Sequence, residues 1–335
     1  MPPAGVPPHA PTPAGITLTE NVHGKARVRV AKSTRPATPD GLATWTESTV
    51  AVLLRGGADA AFTDGDNSGV VSTDTVKNVV YVVAGRHPTT PPESFALAIA
   101  ATFLAEYPHV GGADVTVTQP MWTRVIADGV PHPHGFLGGA GTRTASVSLE
   151  RGGVPAVSGG LAGVRVLKTT ASGWAGFHAG RYSTLPPTDD RVLCTDVTAE
   201  WRFADGWGAA GDELATTRGG EAPPDTPAPD GVGAGYDAAA SAAGGAILAT
   251  FFGDPADGGV YSPGVQRTLL ALGAAVLGEA DCEGVASVRL SLPNVHYLPA
   301  GGGVVPLLKG SPAAEGLYVP TDEPHGVIAA VVKRT

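Results

Sequence analysis

The chain predicts an antiparallel α+β fold, and three observations carry that reading. Candidate strands come in pairs set apart by helices, not in strict strand-helix alternation, which favours an antiparallel sheet over parallel βαβ units. The order strand, strand with Thr-Asp, helix, strand, strand occurs twice, with a boundary near residue 150. The 335 residues, 43% hydrophobic and 16% charged, suffice for a large core in one big domain or two of ordinary size. Helices would then cover one sheet face and leave the other free to pair or to close into a barrel.

Residues 1–15, MPPAGVPPHAPTPAG, read as a Pro-rich disordered tail without the basic region and apolar core of a signal peptide. Ile16 to Thr19 leads into His23-Gly24-Lys25 and the alternating Val28-Arg29-Val30, a short strand, and Thr49 to Leu54 is a second. From Phe62 to Val83, a Gly-containing polar run, Val70-Val71 and Ser72-Thr73-Asp74-Thr75 precede the β-rich Val79-Val80-Tyr81-Val82-Val83. This predicts a turn, or a capped helix start, between extended segments. In Thr90-Pro91-Pro92-Glu93 the threonine reads as N-cap, Pro91 as the first helical residue and Glu93 as the partner in a capping box. Phe95, Ile99 and Phe103 then mark one face of a helix ending near Tyr107. Strands over 114–118 and 121–127 follow, then the Asp128-Gly129 turn dipeptide, and strands over 146–150 and 164–169.

In the second half, Asp190 to Val197 again places Thr-Asp after an apolar run, and Trp201 to Trp207 ends that strand. Residues 208–245 read as a long Gly/Ala/Pro-rich loop whose end passes into a partly helical 238–251. Ser262-Pro263 repeats the cap-plus-proline start before a helix with Val265, Leu269, Leu272 and Val276 on its apolar face. A strand over 286–292, the segment Pro293-Asn294-Val295-His296-Tyr297 and a closing strand over 326–332 complete the chain. The domains expected are 16–152 and 153–335.

A net charge of −9 disfavours a nucleic acid or an anionic membrane as the main partner but leaves room for a small anion held by local cations. Only Cys194 and Cys282 are present, so no disulfide framework and no Cys-based zinc site is expected. No apolar run reaches membrane-span length, and the C-terminal Val-Lys-Arg-Thr is not a peroxisomal address, so a cytoplasmic location is the default expectation.

Several residues could carry chemistry. His132-Pro133-His134 invites a metal, although the prolines impose an extended backbone that puts the rings on opposite faces. Lys25 is either a solvated lysine or a base exchanging a proton with a hydroxyl such as Thr73. Arg191 is either snorkelling or a fork for a planar anion. Gln266 lies in a first helical turn, where free N–H groups and the helix dipole suit an anion. Trp174, flanked by small residues, either packs or offers a ring face for stacking. Asn294 and His296, two apart, project to one side and suit a small polar molecule.

Taken together, these segments resemble the urate oxidase (uricase) family. The resemblance rests on His23-Gly24-Lys25 with Val28-Arg29-Val30; Asp66-Asn67-Ser68 with 72–78; Thr90-Pro91-Pro92-Glu93; Trp122-Thr123-Arg124; 131–136; Asp190-Arg191 with Thr195-Asp196-Val197; Val265-Gln266; and 291–297, all in the family's order. It implies two tandem tunnelling-fold (T-fold) domains, helices on the outer face, closing into a barrel when chains pair, and a homotetramer with sites between subunits. It implies cofactor-independent oxidation of urate by O2 and water to 5-hydroxyisourate and hydrogen peroxide. Lys25, Thr73 and His296 would form a proton relay. Thr73 and the Asp74 backbone would meet one edge of urate, Arg191, Gln266 and the Val265 N–H the other, with Trp174 stacked on the purine and Asn294 at the O2 or water site. The family's usual stacking residue is Phe, and it usually has Lys where this chain has Val295. The alternatives are a non-catalytic purine- or pterin-binding T-fold protein and a zinc-dependent hydrolase using His132 and His134.

Overall fold

The computed structural model describes residues 15–35, 38, 41–207, 234–300 and 316–335. The expected tail apart from Gly15, and the 208–233 part of the expected loop, lie outside the described residues.

The first half runs β1 (Val22–Thr34), β2 (Thr44–Arg55), α1 (Asp59–Thr63), α2 (Thr73–Arg86), α3 (Pro92–Glu106), β3 (Gly112–Ala127) and β4 (Val130–Glu150). The second runs β5 (Ala156–Lys168), β6 (Leu193–Phe203), α4 (Ala234–Phe252), α5 (Val265–Gly278), β7 (Val285–Ser291), β8 (Asn294–Pro299), β9 (Tyr318–Thr321) and β10 (Ala329–Lys333). The main sheet has the order β1-β2-β3-β4-β5-β6-β7-β10; β8 pairs with the start of β6 and with β9. Among the described residues every pairing of these strands is antiparallel. This is the expected α+β class, with an open sheet in the single chain.

Alternation along the strands fixes which face is covered. Val50, Val52 and Leu54 of β2, Val115 and Val117 of β3, and Val197, Ala199, Trp201 and Phe203 of β6 are buried in one continuous core with the helices. Leu53, Leu167 and Val331 are exposed on the uncovered face.

Several local expectations are corrected. The run Val79 to Val83 is not extended: it lies inside α2, which buries Val76, Val80, Val83 and Ala84 and leaves Tyr81 and Val82 exposed. Burial at helical spacing outweighs the β-preference of valine, and Ser72 supplies the cap by accepting from the Thr75 N–H at 3.1 Å. Lys32 closes the other end by donating to the Ala84 and His87 carbonyls. Thr73-Asp74 therefore opens a helix whereas Thr195-Asp196 lies inside β6, so the two pairs are not counterparts.

Helix α3 starts at Pro92 with Pro91 as its cap and no side-chain capping bond, so Thr90 does not cap it. Glu93 closes no capping box either; its fully buried carboxylate faces Arg143 Nη2 at 3.0 Å. The strands over 114–118 and 121–127 are one strand, bulged between Pro120 and Trp122. Ser262 is not a cap, because Gly264 takes that place. Helix α4 begins at Ala234, inside the expected loop, as its Ala-rich sequence permits. His132 and His134 do not oppose each other across the strand. Pro131 and Phe136 pair with Ile126 and Arg124, so extra residues bulge β4 between them and bring the two rings to 4.6 Å.

Candidate active site

One group of expected site residues gathers where β1 meets α2. Lys25 sits at a bulge in β1, between the pairs Lys25–Val52 and Val28–Val50, beside Arg27 in the left-handed region. A bulge re-aims the side chains next to it. Thr73 and Asp74 are exposed in the first turn of α2, where free N–H groups and the dipole favour negative charge. Asp74 lies below the ordinary carboxylate value, chiefly through its hydrogen bond from Lys77 at 2.5 Å and that lysine's charge, with a further contribution from Lys25.

A second group gathers at a corner on the other side of the sheet. The segment after β5 is held between two others by backbone bonds. Gly173 N–H donates to the Ser262 carbonyl at 2.9 Å and Ser262 N–H to that of Ala171 at 2.9 Å. On the opposite side, Arg191 N–H donates to the Ser172 carbonyl at 2.8 Å, and Trp174 exchanges bonds with Thr188 at 2.7 and 3.0 Å. This brings Trp174, Arg191 and the start of α5, Val265-Gln266, together although they are far apart in sequence. The Arg191 guanidinium carbon lies 5.9 Å from the Trp174 ring centroid. A Cβ at Gly264 would come 3.2 Å from the Trp174 ring and 3.4 Å from Gln266 Oε1, so ring and helix start are closely packed here. Phe177 lies nearly parallel to the Trp174 ring, with centroids 5.7 Å apart, which leaves the opposite face for another partner.

Asn294 and His296 lie on β8, two residues apart and on one face, where Asn294 pairs with Thr195 and His296 with Thr321. Among the described residues, four buried polar atoms of these segments find no hydrogen-bond partner: Ser172 Oγ, Arg191 Nε, Thr195 Oγ1 and Asn294 Oδ1. Buried polar atoms are normally satisfied, so these mark a place where a polar ligand or water would be accommodated. Burial also holds the Arg191 guanidinium below its ordinary value. Among the described residues no carboxylate pairs with it. An anion entering here therefore meets an uncompensated cation and the N-terminal end of α5.

Reading the sequence alone missed Ser172 and Thr195. Each is an ordinary hydroxyl in sequence, and only its complete burial sets it apart. Among the described residues no group of three His, Cys, Asp or Glu is placed to hold a metal, around His132 and His134 or elsewhere.

The two groups do not meet within one chain. Strands β1 and β6 are five positions apart in the sheet. At a usual interstrand spacing, that separates Lys25 from the Arg191 corner by about 24 Å along the sheet.

Known proteins supply the comparison. The family model described as Uricase matches residues 21–148 and 157–329. The chain is 37% identical over 326 residues to a uricase of Arabidopsis thaliana, covering 96% of each protein. It is 32% identical over 314 residues to the uricase of Aspergillus flavus, covering 93% of this chain and 95% of that one. The crystal structure of uricase from Arthrobacter globiformis superposes with a TM-score of 0.75 at 30% identity, covering 96% of both chains. With the family model matched across both halves and the fold shared nearly end to end, the chain belongs to the uricase family.

Proposed function

We propose that this chain oxidises urate with O2 and water to 5-hydroxyisourate and hydrogen peroxide, without a cofactor, at a site completed by two chains. Membership of the uricase family supports urate as substrate. The observation that carries the residue assignment is the Arg191 corner: among the described residues its guanidinium has no carboxylate partner, an aromatic ring lies beside it, and four buried polar atoms are unsatisfied.

Urate is a planar anion, and the corner offers what such a ligand needs. The Arg191 fork and the Gln266 amide clamp one edge, the Val265 N–H at the open end of α5 adds a donor, and Trp174 stacks on the purine. Asn294 borders the O2 or water site, where its amide oxygen, unpartnered among the described residues, can accept from the attacking water. The opposite edge of urate meets Thr73 and the Asp74 backbone of a neighbouring chain, since within one chain β1 stands five strand positions from β6. Lys25 takes the substrate proton through the Thr73 hydroxyl, and His296 on the clamp side completes the relay. Deprotonated urate then gives two electrons to O2, water adds to the oxidised ring, and the peroxide leaves protonated. The clamp stabilises the anion that does this work. The open sheet face supports pairing of chains into closed barrels, and barrel pairs into a homotetramer. Residues 16–152 and 153–335 are the two T-fold units of each chain.

Loss of urate absorbance together with peroxide release, measured before and after chelator treatment, tests the proposal. Turnover that survives the chelator is the expected result. Urate binding without turnover would instead make the chain a purine-binding protein, and activity abolished by the chelator would point to a metal-dependent reaction.

A further inference from the structure

Lys168, the last residue of β5, is 9% exposed. Its ammonium donates to Ser262 Oγ at 2.7 Å and to the Val260 carbonyl at 2.9 Å, and it lies 5.1 Å from the Phe251 ring centroid. Among the described residues no carboxylate pairs with it. A buried cation is costly unless it is well held, and one without a counter-ion does little for stability by itself.

What it holds is the seam of the corner described above. Ser262 is the residue through which the 171–173 segment is stitched to the chain entering α5, by the backbone bonds to Ala171 and Gly173. One residue beyond Gly173 comes Trp174; two residues beyond Ser262 comes Gly264, in contact range of the Trp174 ring, and then Val265 and Gln266. A change in how Ser262 sits therefore moves the stacking ring and the clamping helix end relative to each other. A misplacement of about 1 Å, even from a change far from the chemistry, is costly to an oriented site.

We propose that Lys168 is a positioning residue for the purine site: by tethering Ser262 it sets the gap between the Trp174 ring and the Val265–Gln266 end of α5. This rests on the reading of the corner as the urate clamp. Burial holds the Lys168 ammonium below the ordinary lysine value, in keeping with a charge shut away from water.

The test compares the full chain with Lys168→Met, Ser262→Ala and the double variant. Steady-state urate kinetics are measured alongside binding of xanthine, read as the change in tryptophan fluorescence that Trp174→Phe abolishes. Each single change is expected to weaken xanthine binding and raise KM for urate about tenfold, the scale of a lost charged hydrogen bond, with a smaller loss in kcat. The double variant should be no worse than Lys168→Met alone, because both changes break the same bond. Ser262→Ala leaves every backbone bond in place, so it decides the matter even if Lys168→Met unfolds. A folded Ser262→Ala chain with unchanged xanthine binding and KM, or additive losses in the double variant, would overturn the proposal. If the wild type binds xanthine without consuming urate, the catalytic reading fails while the binding arm still decides the role of Lys168. If it does neither, both fall together.

Discussion

Glu93→Gln should remove a pH dependence of stability that the wild type shows between pH 4.5 and about 7. The Glu93 carboxyl is raised from its ordinary 4.5 to about 7, chiefly by burial, with Arg143 opposing the shift and Asp237 adding to it. The native state therefore keeps a proton that the unfolded chain releases. That contribution is complete below pH 4.5 and is lost as pH rises through 7. The gap between 4.5 and about 7 corresponds to about 3 kcal/mol at roughly 1.4 kcal/mol per pH unit. His23 and His87 act in the opposite sense, since burial lowers both and their stabilisation grows as pH rises toward 6.5. Both histidines remain in Glu93→Gln, so the difference between the two proteins isolates Glu93. Glutamine keeps the shape of the protonated acid and an oxygen for Arg143. Urea unfolding at one protein concentration, from pH 4.5 to pH 8, should show the wild type losing about 3 kcal/mol relative to the variant. Parallel stability curves would refute the reasoning.

Two further outcomes follow from the site. Lys25→Met and Thr73→Ala should lower kcat by a factor of about 100 or more, the usual worth of general acid-base catalysis, while urate binding changes far less; equal losses in both would sink the relay. Thr73→Ala and Arg191→Met chains, each strongly impaired alone, should recover activity when unfolded together and reassembled, because a mixed assembly contains sites with both halves intact. If such mixtures stay as inactive as the separate variants, each site belongs to a single chain.

The sequence and the structure part company in instructive places. The helix face of Val265, Leu269, Leu272 and Val276 was legible, because four apolar residues at helical spacing need only one partner surface. The run Val79 to Val83 was not, because valine's preference points to a strand and only the core beneath α2 reveals which of its residues are buried. Thr90 and Ser262 both satisfied the pattern of a helix cap. In each case the position went to the residue nearer the helix, Pro91 or Gly264, and Ser262 was claimed by a lysine 94 residues away. Glu93 shows the same competition. Its spacing suited a local capping bond, but a buried carboxylate needs a cation, and Arg143 arrives from β4. Close packing then leaves no freedom beneath it: a Cβ at Gly159 would fall within 3.0 Å of both Glu93 Oε1 and Trp201 Nε1.

By itself the sequence determined the α+β class, the antiparallel pairing, and the residue types suited to a planar anion: Arg191, Gln266, Trp174 and Asn294 at their several positions. Those follow from periodicity and side-chain chemistry, which are local. Only the tertiary structure decided which of them meet. Backbone bonds through Ser172 and Ser262 draw Trp174, Arg191 and the start of α5 into one corner, whereas five strand positions keep Lys25 and Thr73 away from it. Burial, too, is a property of the packed chain alone. It separates Lys168, Ser172 and Thr195 from the many lysines, serines and threonines that look the same in sequence, because removing a polar group from water matters only once something else has closed over it.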